Sequence, residues 1–320
     1  MPSAFPSIVV VGAGAVGSYY GAVLARAGHR VTLIGRAPHV SAIQQHGLML
    51  HKGGTVEAVH LGATTDIGAV READLVLFCV KSTDTAAVGR EIAPQLKRDA
   101  LVMSLQNGVD NAPTLAQLVK GTVVPTVVYV ATAMPEPGVV KHNGRGDLVV
   151  GPLNAAQAGD PALQQRLQAI VALFATADVP VTVSPDVMAE LWSKLLLNCA
   201  YNAISGLAQV PYGVMAAVPD VLELQRAVVH EVVAVAKADG VNLDLAASLS
   251  AMERLAATMP AQLSSTAQDM ARGKRSEIDH LNGTVARRGA ALGVPTPVNQ
   301  ALYALVKLVE AGRRPSGAES

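Results

Sequence analysis

Ile8-Val9-Val10-Val11-Gly12-Ala13-Gly14-Ala15-Val16-Gly17 sets four β-branched residues against a Gly-x-Gly-x-x-Gly turn. Val16, Tyr19, Tyr20, Val23 and Leu24 then recur at helical spacing until Gly28 stops the pattern. The order is strand, tight turn, helix. Each glycine has a distinct role in that context. Gly12 permits the turn, Gly14 lets a pyrophosphate approach the backbone, and Gly17 lets the helix pack closely on the strand. Ala13, Ala15 and Val16 complete the loop, and the helix N-terminus offers unpaired N–H groups to negative charge. The competing reading is a glycine-rich turn in a fold that binds nothing.

Outward from this loop, Arg30 to Ile34, Leu75 to Val80, Leu101 to Leu105 and Val123 to Val130 read as further strands, with helical stretches at 83–97 and 110–119. Such alternation implies an α/β, Rossmann-like parallel sheet with helices on both faces. Past Pro180 the texture changes. After a short strand at 181–183, the segments are long, rich in Ala, Leu and Val, and of helical period, which predicts an all-α C-terminal domain. Ser184-Pro185 reads as an N-cap and first-turn proline of a helix running to Gly206. Further helices are expected at 219–239, at 244–258 behind the N-cap Asp244, at 265–292 with a break near Gly273, and at 298–311. The expected domains are 1–184 and 185–312, with 313–320 a flexible tail.

Composition narrows the partner. Lys and Arg number 25 against 25 Asp and Glu, so no long-range field attracts nucleic acid or an anionic membrane. Three Phe, six Tyr and one Trp leave few platforms for stacking bases. Cys79 and Cys199 are far apart with no metal-ligand spacing, which is cysteine usage of a reducing compartment. The first charged side chain is Arg26, but the uncharged stretch before it lacks a basic start and carries Pro2, Pro6 and four glycines, so neither a signal peptide nor a membrane span is expected. The expectation is a cytoplasmic protein with a small-molecule partner; the sequence neither requires nor forbids a homodimer.

The second strand ends Leu33-Ile34-Gly35-Arg36, where an NAD site would carry an acid for the ribose 2′-hydroxyl. A guanidinium there suits a 2′-phosphate, hence NADP(H); the alternative is a solvated surface arginine. Lys81-Ser82 and Gln106-Asn107-Gly108 also follow predicted strands, where open α/β sheets bind ligands, though Asn-Gly is equally a common turn.

Lys194, Asn198 and Asn202 fall at i, i+4 and i+8 on one helical face whose other sides are apolar. An amine and two carboxamides in a partly enclosed cleft can protonate one oxygen and hold others of a keto acid; the alternative is the solvated side of an amphipathic helix. Ser264-Ser265-Thr266 and Arg275-Ser276-Glu277-Ile278-Asp279 are further polar clusters, the second readable as a helix start. His142 reads as a loop histidine in a turn with Asn143-Gly144, and Trp192 as core or interdomain packing.

With these pieces in order, the chain resembles the ketopantoate reductase (2-dehydropantoate 2-reductase) family over nearly its whole length. The resemblance rests on the glycine loop, Arg36, Cys79-Val80-Lys81-Ser82, Leu105-Gln106-Asn107-Gly108, Pro137-Gly138 with His142, Trp192-x-Lys194-Leu195-x-x-Asn198-x-x-x-Asn202, Ser265 with Gln268-Asp269, Glu277-Ile278-Asp279 with Asn282-Gly283, and Gly293-Val294-Pro295-Thr296-Pro297. It implies NADPH on the glycine loop, Arg36 on its 2′-phosphate, and Lys81 and Asn107 near the ribose and nicotinamide. It also implies Lys194 as general acid, Asn198, Asn202 and Ser265 as substrate contacts, and Glu277 bridging the cofactor ribose and the site. The implied reaction reduces ketopantoate to (R)-pantoate in pantothenate biosynthesis. One departure is Tyr212 before Gly213, where family members often carry Asn, so another 2-oxo acid stays open. Two competing readings are a β-hydroxyacid or imine reductase, against which Glu277-Ile278-Asp279 argues, and a non-catalytic NADP(H) sensor, which would not need the polar helix.

Overall fold

The protein is described by a computed structural model over residues 4–312; the expected tail at 313–320 lies outside the described residues. Contacts divide the chain between Glu190 and Leu191 into two compact units.

The first unit runs β1 (Ile8–Val11), α1 (Ala15–Arg26), β2 (Val31–Ile34), α2 (Ala37–His46), β3 (Leu48–Lys52), β4 (Thr55–Val59), β5 (Gly62–Thr64), β6 (Leu75–Phe78), α3 (Thr85–Ile92), β7 (Leu101–Ser104), α4 (Asn111–Leu118), β8 (Thr122–Glu136), β9 (Val139–Val150), α5 (Ala155–Ala158), α6 (Pro161–Ala175) and β10 (Val181–Val183). The strands form one sheet in the order β4-β3-β9-β8-β7-β6-β1-β2-β5, with β10 on β9. From β5 to β8 every pairing is parallel. That is the doubly wound order, and its direction reverses on either side of β1, where such sheets bind ligands.

β1, β6 and β7 are buried at every position because helices cover both faces. Alternate residues divide accordingly. Ile8 and Val10 join a cluster with Tyr20, Val23 and Leu24 of α1 and Leu167 and Ile170 of α6. Val9 and Val11 join one with Ile92 of α3 and Leu115 of α4 on the opposite face.

The sheet extends beyond the strands read from the sequence. β8 leaves β7 after Pro125 and continues antiparallel to β9, with register shifts near Val130, Thr132 and Glu136. His142 therefore lies in strand β9, not in a loop turn, and its ring stacks on Tyr19 with centroids 4.6 Å apart. The turn reading fails because Asn143, Gly144, Arg145 and Gly146, though they break apolar alternation, are held in the strand by pairing with β8; Gly144 and Gly146 have φ of 149° and 147°, and the strand is bulged through them.

Helix α7 (Val187–Ala208) leads into the second unit, followed by α8 (Tyr212–Ala216), α9 (Pro219–Ala238), α10 (Leu245–Thr258), α11 (Ser265–Ala271), α12 (Asn282–Leu292) and α13 (Pro297–Gly312). This unit is helical throughout, and among the described residues no helix is long and apolar enough to cross a membrane. Asp244 caps α10 as expected, accepting from Ala247 N–H at 2.6 Å. Ser184-Pro185 does not cap α7. Asp186 does, accepting from Ala189 N–H at 3.1 Å, while Ser184 Oγ accepts from Asp186 N–H just ahead of the helix, so Pro185 falls in the preceding turn. The break near Gly273 is real: Gly273 has φ of 66°, and residues 272–281, including a 3-10 turn at Ile278–His280, separate α11 from α12.

Candidate functional site

Close packing dictates the glycine loop. A Cβ on Gly12 would stand 2.8 Å from the backbone of Cys79 and Val80, and one on Gly17 would stand 2.2 Å from Gly12 O. Around Gly14 a Cβ would meet nothing within 4 Å, which leaves the open cradle a pyrophosphate needs beside the N-terminus of α1. Gly12 and Ala13 N–H both donate to Ile34 O at 3.0 Å, and a Cβ on Gly35 would lie 2.6 Å from that of Ala13. The end of β2 thus runs directly alongside the loop. Arg36 follows as the exposed N-cap residue of α2, and among the described residues its guanidinium has no ion-pair partner.

The two neighbouring strand ends are tied together by buried side chains. Ser104 Oγ donates to Gln106 Oε1 at 3.1 Å, and Gln106 Nε2 donates to Val80 O at 3.1 Å and Thr85 Oγ1 at 2.6 Å. Thr85 Oγ1 donates to Asn111 Oδ1 at 2.7 Å, and Asn111 Nδ2 donates to Ser82 Oγ at 3.2 Å and Asn107 O at 2.7 Å. Ser82 Oγ closes the circuit on Asn107 O at 3.1 Å. Each amide has one orientation that satisfies the network, so the backbone bearing Lys81 and Asn107 is held in one arrangement. Sequence reasoning does not single out Thr85, Ser104 or Asn111; the available signal is three small polar residues at the starts of helices and the end of a strand otherwise buried. Cys79 beside the loop carries a thiol that burial pushes well above the usual range.

In the second unit, the polar stripe of α7 is partly enclosed. Asn202 is buried, Lys194 and Asn198 are half-buried, and Trp192, Leu195, Leu196, Cys199 and Ala200 form its interior faces. Trp192 is core, with the Arg288 guanidinium 5.7 Å from its ring centre. Asn202 Nδ2 donates to Ser265 Oγ at 3.5 Å, so two of the expected substrate contacts are neighbours. Ser264 and Ser205 arrange this: Ser264 Oγ accepts from Ala267 N–H to cap α11 and donates to Asn202 O, while Ser205 Oγ accepts from Ser264 N–H. Gly206 lets α11 approach, since a Cβ there would meet Thr266 Cγ2 at 2.7 Å. Tyr212 packs its ring against Tyr201, centroids 4.5 Å apart, and burial pushes its hydroxyl up to about 12. Glu277 is half-buried at the head of the 3-10 turn before α12.

A buried polar chain fixes α7 from behind. Asn282 Nδ2 donates to Cys199 O at 3.1 Å and to Asn299 Oδ1 at 2.9 Å, and Asn299 Nδ2 donates to Glu231 Oε2 at 2.8 Å. The same carboxylate accepts from Val298 and Asn299 N–H at 2.8 and 2.9 Å, capping α13 from another helix. Glu231→Ala should therefore cost about 2–4 kcal/mol, since it removes charged hydrogen bonds at a helix N-terminus and orphans buried donors. Urea unfolding would register this as a lowered midpoint; an unchanged midpoint would contradict it.

Two family models, described as ketopantoate reductase PanE/ApbA and its C-terminal part, match residues 8–155 and 186–310. The chain is 35% identical over 309 residues to a 2-dehydropantoate 2-reductase of Halobacterium salinarum, covering 95% of this chain and 98% of the relative. A crystal structure of a PanE/ApbA family ketopantoate reductase from Ralstonia eutropha is similar at 50% identity and a TM-score of 0.88, covering 96% of this chain and 99% of that one. D-mandelate dehydrogenase, solved with NADH and anilino(oxo)acetate, superposes with a TM-score of 0.88 over 96% of this chain and 99% of its own, but at 24% identity it speaks to the fold alone.

Proposed function

The chain belongs to the ketopantoate reductase family, and we propose that it reduces the 2-oxo group of 2-dehydropantoate to (R)-pantoate with NADPH, a step of pantothenate biosynthesis. The observation that carries this reading is helix α7: an amine and two carboxamides share one face, and Ser265 lies 3.5 Å from Asn202. A nucleotide sensor has no use for such a stripe. In this reading residues 1–184 hold the cofactor and 185–312 carry the acid and the substrate contacts.

The residues present suit NADPH. The cradle at Gly14 would take the pyrophosphate, Arg36 the 2′-phosphate, and Lys81 and Asn107 the ribose and nicotinamide, with Glu277 on the cofactor ribose. When bound, the cofactor supplies the hydride that reduces the ketone carbon. The Lys194 ammonium stabilises the negative charge growing on the ketone oxygen and then gives it a proton. Asn198, Asn202 and Ser265 hold the carboxylate and hydroxyl oxygens. Because Asn202 and Ser265 already contact one another and Asn202 O is held by Ser264, this part of the site needs little reorganisation when substrate arrives.

Tyr212, where the family resemblance implies Asn, supports a second reading, a different 2-oxo acid; its ring packs on Tyr201. The test is NADPH oxidation with ketopantoate beside other 2-oxo acids and short semialdehydes. Ketopantoate should have the highest kcat/KM. A higher value with another 2-oxo acid would favour the second reading, and turnover of semialdehydes alone would overturn both.

A further inference from the structure

Glu277 stands on a short segment that makes no regular secondary structure beyond one 3-10 turn, so the backbone beneath its carboxylate depends on what grips the flanking residues. Helix α13 supplies the grip. Tyr303, Lys307 and Glu310 fall at i, i+4 and i+7, so they share one face of that helix. Tyr303 donates from its hydroxyl to Asp279 Oδ1 at 2.6 Å and Lys307 Nζ donates to Asp279 Oδ2 at 2.8 Å. Glu310 Oε1 accepts from both the N–H and the hydroxyl of Ser276, at 2.8 and 2.7 Å. Residues 276 and 279 flank Glu277 on either side, and Ile278 between them is fully buried.

The contacts reinforce one another. Both oxygens of Asp279 are used, each by a different donor, and the Asp279 carbonyl accepts from Arg287 Nη2 at 2.7 Å. Partial burial alone would raise the Asp279 carboxyl, but hydrogen bonds from Lys307 and Tyr303 override it and hold it below the usual carboxylate range. Gly283 makes room for the brace: a Cβ there would press on the Tyr303 ring at 3.0 Å.

We propose that Tyr303, Lys307 and Glu310 are positioning residues that act through Asp279 and Ser276 to set where the Glu277 carboxylate stands, and thereby the affinity for NADPH. This rests on the reading of Glu277 as a cofactor contact. None of the three touches cofactor or substrate in this proposal, so the effect must pass through Glu277.

A double-mutant cycle on the full chain tests it, with NADPH dissociation constants from fluorescence titration. Tyr303→Phe with Lys307→Met should raise the constant about tenfold, with kcat at saturating NADPH changed less than about threefold. In a Glu277→Gln background the same pair should change it less than about twofold. Lys307→Arg alone should stay near wild type. If the pair does not fold, Glu310→Gln, which loosens the Ser276 grip and the 4.0 Å ion pair with Lys307, takes its place in the same cycle. Equal factors in the two backgrounds would mean the brace acts on general stability and would overturn the proposal. A Glu277→Gln variant with wild-type NADPH affinity would instead remove the cofactor role of Glu277, and the brace with it.

Discussion

Replacing Lys194 with alanine should lower kcat with ketopantoate by about 10²–10⁴, the range a positioned general acid contributes, while the NADPH dissociation constant stays nearly unchanged. The asymmetry follows from the chemistry. Hydride addition leaves an alkoxide, a base far stronger than any group in its surroundings, so the barrier depends on a donor present as that charge forms. Removing the amine leaves the carboxamides of Asn198 and Asn202, which can donate hydrogen bonds but cannot release a proton. Lys194 is half-buried on a helix whose opposite faces are packed core, so truncation shortens the polar stripe without opening the interior. A single-turnover measurement with saturating NADPH isolates the step: hydride transfer should slow, and substrate KM should move much less. Comparable turnover in variant and wild type would remove Lys194 from its role. A loss confined to KM would make it a binding residue.

What is legible in the sequence, and what is not, divides by range of interaction. The glycine loop, Arg36 and the stripe on α7 are local patterns, written in spacing along one element, and the structure places Gly35 against the loop through Ala13. The antiparallel extension of the sheet is not legible. Strand β9 carries Lys141, Asn143, Gly144, Arg145 and Gly146 in close succession, and it is a strand because β8, β3 and β10 pair with it, not because its residues prefer one. The supporting networks are hidden for the same reason. Asn111 and Thr85 meet across 26 residues, Asn282 reaches Cys199 O across 83, and Glu231 caps a helix 67 residues away; a lone Asn or Glu in an apolar helix carries no sign of its partner. Ser184-Pro185 is the converse, a valid local cap signal that lost to Asp186 two residues on.

Arg36→Asp should raise the NADPH dissociation constant about a hundredfold or more, by removing charged hydrogen bonds to the 2′-phosphate and setting like charges together, while changing that for NADH less than about threefold. The position isolates the effect. Arg36 is exposed and caps α2 only through its backbone, with no side-chain hydrogen bond to the helix. Aspartate is a good N-cap and its charge suits a helix N-terminus. Pro38 has no N–H to offer, but His39 N–H, three residues after the cap and now donating to Arg36 O at 3.0 Å, is within reach of such a side chain. The folded state should therefore be no less stable than wild type, and a thermal melt of the apo protein separates this from a folding defect. Aspartate can also accept a hydrogen bond from a ribose 2′-hydroxyl, which is the reason NADH should not suffer with NADPH. Parallel titrations of both nucleotides decide it. Equal losses would mean that Arg36 supports the loop rather than reading the phosphate, and no loss with either would return it to a solvated surface arginine.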